Sequence, residues 1–104
     1  MFGVAGSSNF ALLSAYAVRG GRYVACQHEA GAVAMASGWA SACGQPGIAS
    51  VHQGPGLANA ATAIADAVRS GAPVVVIAGH VGDSGSRQHL SSIALVESLG
   101  AVAH

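Results

Sequence analysis

The sequence predicts an open parallel α/β sheet with helices on both faces, and three observations predict it. Short apolar runs alternate with helix-patterned stretches four times along 104 residues. Each run ends abruptly in Gly, Ser, His, Glu or Asn, which gathers the polar groups along one edge of the sheet, where open α/β folds bind ligands. The fourth run, Val74-Val75-Val76-Ile77, lacks any apolar/polar alternation, as expected of a strand covered on both faces.

Taken in order, Phe2 to Ala5 is a short strand stopped by Gly6-Ser7-Ser8, where Ser7 or Ser8 can cap a helix from about Asn9 to Arg19. Gly20-Gly21 ends that helix, and Tyr23 to Gln27 is rich in β-formers. A long helix follows from about Ala30 to Cys43, terminated by Gly44 and Pro46 and rich in small residues that imply close packing. Ile48 to Val51 is the third strand, Gly54-Pro55-Gly56 a turn, and Leu57 to Arg69 a helix with Ala60, Ile64, Ala67 and Val68 on one side. Pro73 to Ala78 is the fourth strand, followed by a polar loop from His80 to Gln88 and a last helix from about Ser92 to Leu99. Right-handed crossovers are expected throughout. Met1 leads straight into a strand, and Ala101-Val102-Ala103-His104 is where a fifth would begin, so residues 1–104 read as part of a domain truncated at both ends.

Only 8% of residues are charged, with four basic and four acidic, while 52% are hydrophobic; an ordinary soluble domain has roughly 25% charged residues. Much of the surface is therefore expected to be covered by further chain or a partner subunit. With no basic stripe and few aromatics, nucleic-acid binding is excluded. No apolar stretch reaches the ~18 residues of a membrane span, and these residues carry no charged n-region with a cleavage signal. Cys26 and Cys43 lack metal or redox spacing and read as reduced, packed thiols, which points to the cytoplasm.

Glu29, at the end of the second strand, is pulled two ways: leaving water favours the neutral carboxyl, and the following helix N-terminus favours the charged one. Such a group can hold or share a proton, or merely cap its helix. His28 packs or orients its neighbour. His52 closes the third strand and projects to the same edge as Glu29, as one of a convergent set. Ser7 is either a cap or a hydroxyl able to bond a ligand carboxylate. Neither a hydrolase triad nor a nucleophile elbow is present. Gly54-Pro55-Gly56-Leu57-Ala58-Asn59 is a poor dinucleotide loop, lying in the third unit with Asn59 in place of the final Gly. Asn59, in the first turn of its helix, bonds either a ligand or the loop. His28, His52, His80 and His89 lack metal-ligand spacing.

Phe2-Gly3-Val4-Ala5-Gly6-Ser7-Ser8-Asn9, the His28-to-Gly38 stretch beginning His28-Glu29-Ala30-Gly31-Ala32, and Gly54-Pro55-Gly56-Leu57-Ala58-Asn59 together resemble the pyrimidine-binding domain of thiamine-diphosphate enzymes, the group of acetolactate synthase and benzoylformate decarboxylase. The resemblance covers nearly the whole chain. It implies that Glu29 hydrogen-bonds the cofactor aminopyrimidine and promotes loss of the thiazolium C2 proton, after which a 2-oxo acid is attacked and decarboxylated. It implies contacts to the cofactor from Pro55, Asn59 and Gln88, and to substrate from Ser7 and His52, with His52 at the position of an active-site histidine of benzoylformate decarboxylase. That tilts the reading toward a 2-oxo acid decarboxylase or carboligase. The Gly54-Pro55-Gly56 turn and Gln88 look more like the synthase branch, which leaves an acetolactate-synthase-like carboligase with FAD in a middle domain as the alternative. A non-catalytic assembly module of the same fold is a third reading, and Glu29 argues against it. His89 and Ser91 replace acidic residues common beside that Gln, and Ala5 replaces a frequent Pro. The Gly-Asp-Gly stretch that holds magnesium and the diphosphate in this family is absent from these residues. The resemblance therefore implies a homodimer or homotetramer pairing pyrimidine with diphosphate domains, and an isolated chain that is inactive.

Overall fold

A computed structural model describes residues 1–80, 87 and 89–104. The chain runs β1 (Phe2–Gly3), α1 (Phe10–Val18), β2 (Val24–Ala25), α2 (Glu29–Cys43), β3 (Gly47–Val51), α3 (Pro55–Asn59), α4 (Ala61–Ser70), β4 (Val74–Ala78) and α5 (Ser92–Ser98). The strands form one parallel sheet in the order β2-β1-β3-β4. From β1 the chain steps one way to β2, then back past β1 to β3 and onward to β4. With right-handed crossovers, that reversal sets α1 on one face of the sheet and α2 and α4 on the other, giving the open α/β architecture expected from the sequence.

α2 carries the packing. It lies across β3, β1 and β4 and beside α4. Its buried stripe is Ala32, Val33, Ala36 and Ala40, at the three- and four-residue spacing of one helix face. These small side chains let the helix axis approach the sheet closely. The core joins Val33 and Ala36 to Ala49 and Val51 of β3, Leu57 of α3, Ala60, and Ile64 of α4. Closest approach is at Gly47, where a Cβ would stand 2.6 Å from the Ala36 carbonyl carbon. α2 itself ends at Gly44, whose φ of 64° is the left-handed cap that favours glycine.

Several expectations are corrected. The strand buried on both faces is β3, with Gly47, Ala49, Ser50 and Val51 all buried, because it lies inside the sheet. β4 is the edge of the described sheet. Val74 and Val76 pack on the core, while Val75, which alternates to the other face, is 51% exposed. It opens onto an apolar groove of about 810 Å³ that also borders Val68, Ile93 and Val102.

The single helix expected over Leu57 to Arg69 is two, α3 and α4, and it begins earlier, at Pro55. Proline is suited to a first helical position, where its missing N–H is no loss. At Ala60 the backbone N–H is shared between the carbonyls of Gly56 and Leu57, a tightened turn that separates the two helices. Residues 101–104 form no fifth strand: Gly100 turns with φ 86°, and the Ala101 N–H bonds back to the Val96 carbonyl.

Gly47→Ala forces the Ala36 backbone of α2 off the sheet. A loss of about 1–3 kcal/mol of stability is expected, read as a lower urea midpoint at unchanged slope; an unchanged midpoint would contradict the close approach of α2 to β3.

Candidate functional site

β1 and β3 are neighbours, yet the chain leaves them in opposite directions, β1 toward α1 and β2, β3 toward α3, α4 and β4. The carboxyl edge between them is the topological switch point, the place of the ligand crevice in open α/β sheets, and here the loops that follow the two strands meet.

The β1 loop is held by Asn9, which is 3% exposed. Its Oδ1 accepts from the Gly6 N–H at 2.7 Å, and its Nδ2 donates to the Val4 carbonyl and to Ser50 Oγ of β3, each at 3.0 Å. One side chain thus closes the turn and ties it to the neighbouring strand. Neither Ser7 nor Ser8 caps α1; the N-cap is Asn9, whose side chain bonds backward rather than forward. With the loop so fixed, Ser8 Oγ lies 2.7 Å from Nδ1 of His52 and accepts the Gln53 N–H at 3.1 Å. Ser7 is exposed. The serine brought to His52 is therefore Ser8, which the sequence had offered only as a cap.

Glu29 is the first residue of α2 and is 8% exposed. The cap is supplied by His28, whose Nδ1 accepts the Ala30 N–H at 3.2 Å, so the Glu29 carboxyl group is free of that duty and turns inward. Its Oε2 accepts from Asn59 Nδ2 at 3.1 Å. Its Oε1 lies against Gly56: a Cβ there would stand 2.9 Å from Oε1 and 2.8 Å from the His52 Cβ. Asn59 is the last residue of α3, two residues further along its helix than expected, because the helix starts at Pro55. That shift aims its amide at Glu29 rather than at the loop. Glu29, Asn59, Gly56, His52 and Ser8 thus form one continuous cluster, with the Glu29 carboxyl group and the Cβ of His52 packed on the same glycine.

Two further sequence candidates remain. Pro55 is exposed at the start of α3. Gln88 lies outside the described residues. His80 and His89 are exposed, and among the described residues no three His, Cys, Asp or Glu side chains gather as metal ligands. Sequence reasoning overlooked Ser8, Asn9 and the steric role of Gly56. Gly6-Ser7-Ser8-Asn9 offers three polar residues in succession, and which of them turns inward depends on the helical phase of α1.

Comparison with known proteins agrees with this geometry. Residues 1–98 match the family described as the thiamine pyrophosphate enzyme N-terminal TPP-binding domain. The chain is 36% identical over 85 residues to sulfoacetaldehyde acetyltransferase of Alcaligenes xylosoxydans xylosoxydans, covering 82% of this chain and 14% of that protein. It is 48% identical over 59 residues to the mitochondrial acetolactate synthase catalytic subunit of Saccharomyces cerevisiae, covering 57% of this chain and 9% of that one. It is 40% identical over 77 residues to a Pseudomonas aeruginosa protein named probable 2-ketoarginine decarboxylase AruI, covering 74% and 14%. An X-ray structure from Mycobacterium smegmatis, assigned to the thiamin diphosphate-dependent enzymes, superposes with a TM-score of 0.73 at 33% identity, over 82% of this chain and 16% of that one. The chain therefore spans about a seventh of the length of such relatives.

Gly56→Ala places a methyl group between the Glu29 carboxyl group and His52. It is expected to cost about 1–3 kcal/mol of stability and to break the Asn59–Glu29 bond, seen as a shift of the Asn59 side-chain amide resonances. Wild-type stability with those resonances unmoved would show that the glycine is not needed for the packing.

Proposed function

This chain belongs to the family of N-terminal TPP-binding domains of thiamine pyrophosphate enzymes, and on that premise we propose that it is the aminopyrimidine-binding part of a thiamine-diphosphate-dependent 2-oxo acid decarboxylase or carboligase. The observation that carries the reading is Glu29: a carboxyl group 8% exposed, at the carboxyl edge of a parallel sheet, with one oxygen bonded by Asn59 and the other against a glycine. The fit to an aminopyrimidine rests on the chemistry of that carboxyl group, which can both donate and accept a hydrogen bond. With no Cβ at Gly56, α3 packs directly against the carboxyl group and fixes its position. Thiamine diphosphate, when bound, supplies the electron sink that makes loss of carbon dioxide from a 2-oxo acid feasible.

The protein residues then act as follows. Because Oε2 is taken as an acceptor by Asn59, a proton carried by Glu29 sits on Oε1, where it is available to a ring nitrogen. His52, on the other side of Gly56, contacts the substrate from the β3 side. Ser7, exposed at the lip of the β1 loop, reaches a substrate carboxylate, and Pro55 and Gln88 add contacts to the cofactor. Magnesium and the diphosphate are held by a further domain, residues 1–104 forming a partial pyrimidine domain that is inactive alone. An acetolactate-synthase-like carboligase, with FAD in a middle domain, is the alternative; similarity to acetolactate synthases favours it. The inward-facing His52 favours decarboxylation.

No helix among the described residues is long and apolar enough to cross a membrane, and a cytoplasmic location is proposed. A homodimer or homotetramer is also part of the reading. α2 exposes Gly31, Ala34, Met35, Gly38 and Trp39, with Met35 and Trp39 46% and 49% exposed. Gly31 and Gly38 have nothing within 4 Å of where a Cβ would lie, although each glycine costs a helix interior about 0.5–1 kcal/mol relative to alanine. Close approach of a partner surface would account for them.

Two measurements test these statements. Glu29→Gln keeps the shape and removes the proton, so in the complete protein hydrogen–deuterium exchange at the cofactor C2 is expected to slow by about 10²–10⁴-fold; exchange at the wild-type rate would refute the assignment. Ala34→Glu puts a charge on the open face of α2 and is expected to shift the assembly toward monomer in sedimentation velocity, whereas an unchanged sedimentation coefficient would remove that face from the interface.

A further inference from the structure

The Ser8 hydroxyl is enclosed on three sides. It accepts the backbone N–H of Gln53 at 3.1 Å and lies 2.7 Å from His52 Nδ1. On the third side is Gly79, at the end of the strand β4 loop, where an added Cβ would fall on Ser8 Oγ and Cβ. Water therefore has no room to approach the hydroxyl from β4. A serine hydroxyl has one proton and two lone pairs. The Gln53 N–H can only donate, so it occupies one lone pair. One proton and one lone pair remain, and the polar neighbour left for them is Nδ1.

Were Nδ1 protonated, Oγ would accept a second bond and the hydroxyl proton would have no acceptor among the described residues, a bond left unmade in a part-buried position. If the hydroxyl donates to a bare Nδ1, every group is satisfied. Gly6 packs on the ring, where a Cβ would stand 2.6 Å from Nδ1 and 2.9 Å from Cγ, and so confines the imidazole to its plane. Nε2 has no partner among the described residues, and His52 is only half-buried.

We infer that Ser8 is a positioning residue that holds His52 as the neutral imidazole protonated at Nε2, so that the crevice receives an N–H donor that recognises an anionic oxygen. The ligand class that follows is a carboxylate, or another oxyanion of similar size, rather than an amine or an ammonium group. An N–H at Nε2 has nothing to offer such donors. This rests on the proposed function only in taking the crevice for the substrate site; the tautomer follows from the hydrogen bonds alone.

The test is a long-range proton–nitrogen correlation spectrum of the complete protein, labelled with ¹⁵N-histidine and free of cofactor, with the His52 signals assigned by their loss in His52→Gln. The expected pattern is a protonated Nε2 and a bare Nδ1. Adding pyruvate, the simplest 2-oxo acid, should shift Nε2 and leave Nδ1 in place. In Ser8→Ala the tautomers should mix, and pyruvate binding should weaken on the order of tenfold. A wild-type spectrum showing Nδ1–H overturns the inference without recourse to any variant. A protonated Nε2 that pyruvate fails to shift overturns the assignment to anions. Failure to bind thiamine diphosphate would sink the proposed function and leave the tautomer result standing.

Discussion

The junction of β1 with β3 is the constraint on which the rest of the structure depends. The two strands pair in parallel through Phe2 and Gly3 opposite Ala49 and Ser50, a short ladder that could not by itself aim the loops beyond it. Asn9 extends the connection by closing the β1 loop onto Gly6 and Val4 and reaching Ser50. Because Ser50 is fully buried, each of these polar groups would be costly without its partner. Ser8 is the next residue back along the chain, and its meeting with His52 follows from where Asn9 is pinned.

Missing side chains shape the site as much as those present. Gly6, Gly56 and Gly79 come from three separate segments, two loops and the helix α3, and each is in contact with a side chain of the cluster: His52, Glu29 with His52, and Ser8. Their close approach excludes water from the interior of the cluster while leaving the crevice edge open. Hydrogen bonds within such a water-poor cluster are stronger and more directional than at the surface, so few residues suffice to hold a carboxyl group and an imidazole in fixed orientation. Ionic contacts are not needed for this, in keeping with a chain of four acidic and four basic residues.

The same scarcity of charge marks the outer surface. Phe10 and Val18 of α1 are 64% and 87% exposed, and with the open face of α2 and the groove beside β4 they make a surface that is apolar on several sides. A chain of this length buries a modest fraction of its apolar surface by itself. One such relative is about six times as long, the 85 aligned residues being 14% of it, and exposed apolar surface of this extent is uncommon on an isolated soluble domain.

Much of this was legible in the sequence, for reasons of local physics. The strand–helix alternation, the end of α2 at Gly44, and the gathering of polar residues at one sheet edge follow from periodicity and backbone preference, which act over a few residues. Glu29 and His52 were identifiable because each ends a strand. What only the tertiary structure decided depends on contacts distant in sequence. Whether Ser7 or Ser8 turns inward is set by Asn9 reaching Ser50, 41 residues away; that Asn59 bonds Glu29, 30 residues away, is likewise a contact distant in sequence. The strand buried on both faces proved to be β3 rather than β4, because burial depends on which strands lie alongside, and strand order is not a local property of the chain.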